Sequence, residues 1–256
     1  MKVAARALSI ALILLSLLMG MLLLTVIYSA RRIRIETPTV KSELTDTGTR
    51  LIMEVPIYNE GFHDITDVEL RTDIVVELTG DVIATSTSYL PMVAKGGEGR
   101  LVHVVEFDLT EIARNERALR ALMLNNTNLI VVASLSLVYA YMFEISLEAN
   151  ASSPWGAPMS GLVMALEPPG PGEDEITAVL SFANNASFGY NFKLEALNEL
   201  GYSLGNSSLI YVDPGASFEE EAITIPINTA LWTGSGSIRV HFFIGRACLA
   251  LEVMTY

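Results

Sequence analysis

The pattern of hydrophobic and polar residues changes once along this chain, near residue 35. Residues 7–28 are 22 consecutive uncharged positions, mostly Leu, Ile, Met, Ala and Val. As a helix they would span about 33 Å, enough to cross a bilayer core of about 30 Å. From residue 36 onward apolar residues recur at every second position, which is typical of strands with one buried face. The pattern predicts a membrane anchor over residues 1–35, with its transmembrane helix at about 7–28, and a β-rich body after it.

Two alternatives exist for the amino-terminal segment. A cleavable secretory signal usually has an apolar region of about 7–15 residues followed by a small-x-small site. Here the apolar run is longer, and Tyr28-Ser29-Ala30 puts a bulky ring where a small residue belongs. The second alternative is a type IV pilin signal, because Arg6-Ala7-Leu8-Ser9 resembles the archaeal class III site that a prepilin peptidase cuts. It predicts a pilin-like or archaellum-type filament subunit whose mature chain begins at Leu8.

Charge is distributed unevenly and restricts the partners. The net charge is -13; residues 1–35 hold five basic side chains and no acid, so residues 36–256 hold 11 basic against 29 acidic side chains, or -18. Such a body excludes nucleic acid as a partner, because phosphate binding needs a basic surface. Basic residues flank both ends of the predicted span, which leaves the positive-inside rule nearly tied.

Two further features favour a single-pass protein of the cell membrane with an extracytoplasmic body. The amino-terminal tail before the apolar run is only six residues long. The body also carries four N-x-S/T sequons, each a candidate N-glycosylation site in a secreted domain. The four asparagines are Asn125, Asn150, Asn185 and Asn206.

Alternation predicts the strands of the first half of the body. Residues 51–57, 68–78 and 101–107 have period two, and the last run follows a glycine-rich turn at 95–99. Pro56 cannot donate to a strand ladder, so its strand is predicted to be an edge or to carry a bulge. Every odd position from 129 to 147 is apolar, which predicts two long strands or one bent strand and not a second membrane span.

One helix is predicted between these strands, over residues 110–124. Thr110 is the expected N-cap, and Asn125 follows the last helical residue. Three arginines fall three positions apart on one side: Arg114, Arg117 and Arg120. We interpret them as a solvated helix face in which Glu116 pairs with Arg120. A ligand-binding basic stripe is the alternative.

The body divides into two similar halves. Ser, Pro, Gly and Ala dominate residues 150–160, which predicts a linker between domains at 36–149 and 161–256. Alternating runs in the second half predict strands at 162–166, 176–182, 223–227, 238–244 and 247–253. Residues 55–62 align with residues 180–187 at an offset of 125, and in both an alternating strand ends in Asn, at Asn59 and Asn184. Asn closes a turn with its own side chain, so both positions have a structural reason to be Asn.

The order of strand, Asn and turn resembles the late embryogenesis abundant proteins of the water-stress and hypersensitive-response type, whose archaeal members often follow a membrane anchor. The resemblance is carried by residues 51–59, Gly61 and Phe62, residues 64–70, and the glycine-rich turn with its following strand. It covers residues 36–149, with residues 161–256 as a divergent second copy. It implies a mainly β fold of two tandem immunoglobulin-like or fibronectin-like β-sandwich domains without catalytic residues, serving protection or membrane-associated contacts.

The residue types that carry catalysis do not cluster in this sequence. His63, His103 and His241 stand far apart, without Cys or carboxylate at metal-ligand spacing. His103 lies in an inward slot between apolar neighbours, so we interpret it as a core histidine. The chain contains no nucleophile elbow, P-loop or dinucleotide motif. We predict no enzyme, no catalytic residue, no cofactor and no metal site.

Other reactive or charged groups have structural interpretations. Cys248 is the single cysteine, so no intrachain disulfide forms, and it is read as a small strand residue with an intermolecular disulfide as the alternative. Acidic runs at 173–175 and 219–221 adjoin turns and are interpreted as solvated loops, with weak calcium binding as the alternative.

These features predict a non-catalytic protein with a structural or protein-interaction role at the cell surface. Residues 7–28 would contact membrane lipid, and a protein partner or a second copy would bind at open strand edges. The pilin-like subunit is one alternative. A carbohydrate- or lipid-binding module is another, and it requires an exposed strip of Tyr139, Tyr141 and Phe143 on an edge strand.

Overall fold

A computed structural model describes residues 2–45, 47–170 and 172–256; the side chains of residues 2–14, Leu22 and Leu44 lie outside the description. The described helices are α1 (Lys2–Ala30), α2 (Leu109–Ile112) and α3 (Glu116–Leu124), with a 3₁₀ turn at Thr229–Leu231. The described strands are β1 Ile33–Ile35, β2 Thr39–Leu44, β3 Gly48–Asn59, β4 Ile65–Val76, β5 Val82–Val93, β6 Gly97–Asp108, β7 Thr127–Tyr139, β8 Phe143–Trp155, β9 Ser160–Glu167, β10 Glu175–Ala183, β11 Tyr190–Asn198, β12 Ser203–Asn206, β13 Ile210–Val212, β14 Ser217–Pro226, β15 Gly236–Ile244 and β16 Ala247–Thr255.

The predicted mainly β fold is confirmed, and the amino-terminal segment is one helix. Within the part of the chain that the structure describes, no helix combines the length and apolar character needed to cross a membrane. The predicted span at 7–28 includes residues 7–14 and Leu22, whose side chains lie outside the description. The span therefore stays a prediction.

Both halves of the body have the same strand order. In the first half β3 pairs with β6 on one side and with β1 and β2 on the other, and a second sheet has the order β5-β4-β7-β8. In the second half β10 lies between β14 and β9, and β11 lies between β15 and the short strands β12 and β13, with β16 at the edge. The first half thus combines two four-stranded sheets, and the second half combines a three-stranded with a five-stranded sheet, in a β-sandwich-like arrangement. Strands β3, β4, β6, β7 and β8 correspond to β10, β11, β14, β15 and β16.

The predicted alternation matches the buried faces. Val68, Leu70, Ile74 and Val76 of β4 are buried, as are Ile176, Ala178, Leu180 and Phe182 of β10. Leu78 is the exception, because β4 ends at Val76, where the Val76 carbonyl accepts from Thr79 N and Gly80 N and turns the chain. Leu78 is consequently exposed.

The expectation of an edge or a bulge at Pro56 is wrong. Strand β3 is central, and it pairs with β6 through Pro56 without a shift in register. The Pro56 carbonyl accepts from Glu36 N on the opposite side, at 3.0 Å. The N–H and C=O of one strand residue point the same way, so the missing N–H faces the gap between Ile35, which ends β1, and Thr39, which begins β2. Because β1 has ended and β2 has not begun opposite this position, no strand carbonyl is left without a donor, and proline is tolerated.

The single helix predicted at 110–124 is two short helices. Asp108, and not Thr110, caps the first, because its carboxylate accepts from Thr110 N at 2.7 Å. Asn115 interrupts the helical run and caps the second by accepting from Ala118 N at 3.1 Å. Asn125 ends the second helix, as predicted. The break arises because Asn115 favours a cap over a helix interior, since its side chain competes for backbone donors.

The two long strands predicted in residues 129–147 are β7 and β8, joined by a tight turn. Ala140 and Tyr141 in that turn have positive φ values of 54° and 58°. Strand β8 continues to Trp155 and pairs with β7 along its whole length, and β9 begins at Ser160. Only residues 156–159 therefore separate the strands of the two halves, a shorter connection than the predicted linker at 150–160.

Two core clusters hold the body together. The smaller lies in the first half, and it includes Val26 near the end of α1 together with Ile57, Ile65 and Tyr139. The larger fills the second half and also takes in residues of α2 and α3. The helix segment of the first half thus packs into the core of the second half, so the halves share apolar burial across their junction.

Candidate functional site

A buried asparagine organises the loops at the α1 end of the first half. Asn59 ends β3 and is fully buried. Its Oδ1 accepts from Gly61 N at 3.1 Å, and its Nδ2 donates to His63 O at 2.9 Å and Val93 O at 3.0 Å. One side chain therefore holds the loop after β3 against the end of β5.

The last turn of α1 docks on this loop. Ser29 is fully buried, its Oγ is hydrogen-bonded to the Tyr139 hydroxyl, and it accepts from Phe62 N at 2.5 Å. A Cβ on Gly61 would lie 2.4 Å from that hydroxyl and 2.7 Å from Ser29 Oγ. Gly61 is therefore required by close approach. The helix end is tied to the body by hydrogen bonds as well as by the packing of Val26.

Arginines and aromatic rings surround this docking point. The Arg32 guanidinium lies 5.1 Å from the Tyr28 ring centre and 5.5 Å from that of Phe62. Arg34 lies 4.8 Å from the Tyr58 ring centre. Cation–π contacts of this kind stabilise exposed sites by about 0.5–1 kcal/mol. They fix the positions of the cations next to the end of the helix.

A cleft of about 740 Å³ lies at the junction of the halves. Trp155 lines this cleft, and its ring lies between those of Phe107 and Phe188, at centroid distances of 5.9 and 6.1 Å. Its Nε1 donates to Leu122 O at 2.8 Å, which fixes the indole on α3. A second cleft of about 440 Å³ shares Trp155 and Phe188.

Amide and carboxylate groups form the polar wall of the larger cleft. Asn126 Oδ1 accepts from Ala157 N at 3.0 Å and from Asn185 Nδ2 at 3.2 Å, so it bridges the two halves. Asn128 Nδ2 donates to Glu77 Oε2 at 2.6 Å. The cleft combines rigid aromatic side chains with hydrogen-bonding groups, a chemistry suited to binding a partner.

All four sequon asparagines are exposed. Asn125 follows α3, Asn150 lies on β8, Asn185 lines the junction cleft and Asn206 ends β12. The structure places Asn125 and Asn185 near each other, through the contact of Asn185 with Asn126. It does not bring the other two to this site.

His103 is a satisfied core histidine, as predicted. It is fully buried and bonds Thr72 Oγ1 at 2.9 Å and Ser88 Oγ at 3.0 Å, so it links β6 to both β4 and β5. Burial lowers the pKa of its imidazole.

The remaining candidate groups are separate from one another. His241 Nε2 lies 2.8 Å from Glu195 Oε2, and Arg239 lies 3.5 Å from the same oxygen. The Glu195 carboxyl has a lowered pKa, because the hydrogen bonds from His241 and Ser203 outweigh its desolvation.

Cys248 and both acidic runs are exposed. Across the described ranges, no three His, Cys, Asp or Glu side chains lie together as metal ligands.

The arginine row on α2 and α3 is engaged in structural contacts. Arg114 pairs with Glu111 at 2.7 Å, and Arg117 donates to Thr79 O at 2.9 Å. Arg120 pairs with Glu116 at 3.6 Å, as predicted, and donates to Glu252 O in the second half. The interpretation as a helix face fits these contacts better than a ligand-binding stripe.

The aromatic strip required for a carbohydrate- or lipid-binding module is not formed by the residues named for it. Strand β8 is an edge, but Tyr139 is fully buried and only Tyr141 is largely exposed. The turn between β7 and β8 separates them, because Tyr139 ends β7 on its buried face and Tyr141 lies in the turn with a positive φ.

Sequence reasoning missed the docking of α1 and the junction cleft. One signal for the docking was available, because the copy alignment places Gly61 opposite Ala186. A glycine in only one copy indicates a contact that only that copy makes. Nothing local marks the partners Ser29 and Tyr139, which are 110 residues apart.

No protein-family model matches this sequence, and no curated protein matches it. Solved structures align at 8–15% identity. Red sea bream transglutaminase aligns at 15% identity and a TM-score of 0.29, over 86% of this chain and 32% of its own. The exo-chitosanase CsxA of Amycolatopsis orientalis aligns at 11% identity and a TM-score of 0.27, over 84% and 26%. Latent PorU of Porphyromonas gingivalis aligns at 12% identity and a TM-score of 0.27, over 88% and 20%. The chain spans a third or less of these structures, and such similarities carry no argument about function.

Proposed function

We propose that this protein is a single-pass, membrane-anchored, non-catalytic display protein with two tandem immunoglobulin-like or fibronectin-like β-sandwich domains outside the cell. The observation that carries the proposal is the docking of an apolar helix on the first domain through Ser29 and Tyr139. A helix fixed in this way would hold the body at a defined orientation to the membrane.

The apolar surface of α1 supports a lipid environment. Among the described side chains of this helix, nine large apolar ones are 43–69% exposed: Leu15, Leu17, Leu18, Met19, Met21, Leu23, Leu24, Ile27 and Tyr28. A contiguous apolar surface of this size marks contact with a membrane or a protein. The uncharged run at 7–28 and the basic residues on both sides of it favour the membrane.

The strand orders support tandem sandwich domains. Each half contains two sheets in which five corresponding strands have the same neighbours, and Asn59 and Asn184 make matching contacts at matching strand ends. Short connections and a buried inner face on each strand are typical of immunoglobulin-like sandwiches. The open edges at β8 and the cleft around Trp155 offer surfaces for a protein partner.

The single cysteine allows a direct test of orientation. Cells expressing the full chain would be treated with a membrane-impermeant maleimide before and after permeabilisation, with Cys248→Ser as the control. Cys248 is exposed, so we expect equal labelling of intact and permeabilised cells and none of the variant. Labelling only after permeabilisation would place the body inside the cell and overturn the proposal. Release of the protein by alkaline carbonate would exclude an integral anchor.

The pilin-like alternative differs in its amino terminus. Its cleavage would fall after Ala7, among residues whose side chains lie outside the description. The intact mass of protein from native membranes distinguishes the two. A chain starting at Met1 supports the fixed anchor, and a chain starting at Leu8 supports filament assembly.

A further inference from the structure

We propose that the α1 end of the first half is a lipid-contacting surface whose side chains enter the headgroup region of the membrane. This basal surface consists of Tyr28, Phe62, Tyr141 and Met142, with Arg31 and Arg32 beside them. The inference rests on the proposed membrane anchor and adds a second, peripheral contact with the same membrane.

Three loops are tied together at this surface through Asp64. Its carboxylate accepts from Lys95 N at 2.8 Å and from the Tyr141 hydroxyl at 3.2 Å. Its carbonyl accepts from Ala140 N at 3.1 Å. The turn that carries Tyr141 and Met142 is therefore held beside the loop that carries Phe62, and the three side chains belong to one end of the molecule.

The same loops are held at the end of α1. Phe62 N donates to Ser29 Oγ, and His63 N donates to the Tyr139 hydroxyl at 3.4 Å. Arg32 contacts the rings of both Tyr28 and Phe62. Phe62 therefore lies at the level of residues 28–32. A span that ends at residue 28 would leave the hydrocarbon there, so Phe62 would lie in the interfacial layer.

The exposed residue types fit a membrane interface. Phe62 is 52% exposed, Tyr28 56%, Met142 62% and Tyr141 67%. Tyr and other amphipathic rings concentrate at headgroup level, and apolar side chains that enter that layer strengthen peripheral binding.

The charges at this end also favour a lipid surface. Arg31 and Arg32 are exposed cations next to the rings, in position for phosphate oxygens. Among the acids nearby, Glu36 pairs with Arg34 at 3.4 Å and Asp64 is held by its hydrogen bonds, while Glu60 is exposed. The charge at this surface therefore differs from that of residues 36–256 as a whole, whose net charge is -18.

Spin-label accessibility tests the inference on the full chain in vesicles of phosphatidylcholine and phosphatidylglycerol. Met142→Cys in the Cys248→Ser background carries the label, because the Met142 side chain is exposed. Leu200→Cys is the aqueous control: Leu200 is similarly exposed and follows β11 at Asn198, the end opposite Tyr190 at the junction. Leu18→Cys reports separately on the helix.

We expect the ratio of oxygen to nickel-chelate collision rates to be several-fold higher at position 142 than at position 200, and highest at position 18. Equal ratios at 142 and 200, with a high ratio at 18, would overturn the basal contact and leave the anchor intact. A low ratio at position 18 would overturn the anchor itself, and the inference with it. A second label at Phe62→Cys must agree with position 142, since both side chains belong to the same surface.

Discussion

Asn59 and Asn184 occupy equivalent positions 125 residues apart and make the same three hydrogen bonds. Each accepts from the N–H two residues later, Gly61 or Ala186, at 3.1 and 3.0 Å. Each donates to the carbonyl four residues later and to a carbonyl at the end of a later strand, that of Val93, which ends β5, or that of Asp213, which follows β13. Both are fully buried. The repeated Asn is therefore a structural clasp in each half.

Replacing either Asn with Ala should destabilise the protein by a similar amount. The change leaves two carbonyls and one N–H without the buried side-chain amide that they bond, and we expect a loss of about 2–4 kcal/mol in the free energy of unfolding. Urea unfolding of Asn59→Ala and Asn184→Ala in detergent solution measures it. Asn150→Ala, at an exposed sequon, should change stability by less than about 0.5 kcal/mol. If both variants lost as little unfolding free energy as Asn150→Ala, the two asparagines would not have this structural role.

Gly61→Ala should weaken the docking of α1. The new methyl group would lie within 2.4 Å of the Tyr139 hydroxyl, and such overpacking costs about 1–3 kcal/mol. A Ser29→Ala, Gly61→Ala double variant lacks the Ser29 hydroxyl that crowds the new methyl group, so it should regain part of the stability that Gly61→Ala loses. Ala186→Gly is the matched change at the equivalent position of the second half, away from the end of α1, and should cost no more than about 1 kcal/mol. Equal effects of the two single changes would argue against the docking.

His103 should make stability fall with decreasing pH. Burial lowers its pKa below the ordinary value of 6.5, so the unfolded chain binds the proton more readily than the folded chain. Its stabilising effect is therefore complete above about pH 6.5 and is lost as the pH falls toward the folded pKa. The free energy of unfolding should be lower at pH 5.0 than at pH 7.5, and this decrease should be smaller in His103→Gln than in the unsubstituted protein, by up to about 2 kcal/mol.

The matched control for that pH effect is His241→Gln on β15, in the second half. The His241 side chain is only part-buried and its Nε2 lies 2.8 Å from Glu195 Oε2, so its ring is not enclosed in the core as that of His103 is. The free energy of unfolding of this variant should decrease between pH 7.5 and 5.0 by as much as that of the unsubstituted protein. An unchanged drop in His103→Gln would show that carboxylates alone cause the acid sensitivity.

Trp155→Phe should loosen the junction between the halves. The change removes the hydrogen bond from Nε1 to Leu122 O while keeping an aromatic ring between Phe107 and Phe188. We expect a loss of about 1–1.5 kcal/mol. Trp232→Phe is the control, because Trp232 stacks on Tyr256 away from the junction. Calorimetry that finds the same unfolding enthalpy and midpoint for both variants would contradict a structural role for Trp155 at the junction.

Much of the fold was predictable because strand alternation is a local signal. Successive side chains of a strand point alternately to the core and to solvent. The strands β4, β7, β10, β15 and β16 could therefore be predicted from apolar spacing alone. The helix break before Asn115 was missed because Asn is tolerated near a helix start, and only the hydrogen bond from Ala118 N to its side chain shows that a second helix begins there. The position of Pro56 was misjudged because its tolerance depends on a gap between two other strands.

The sequence by itself determined the mainly β class, the order of strands in two similar halves, the structural role of Asn59 and Asn184, and the burial of His103. These follow from period, from turn chemistry and from the cost of burying a charge, all of which depend on residues near in the chain. Only the tertiary structure decided that Ser29 meets Tyr139, that Gly61 lies between them, and that Trp155 joins the halves over α3. Those contacts depend on how sheets and helices pack across more than 30 residues, and no local pattern encodes which distant surfaces meet.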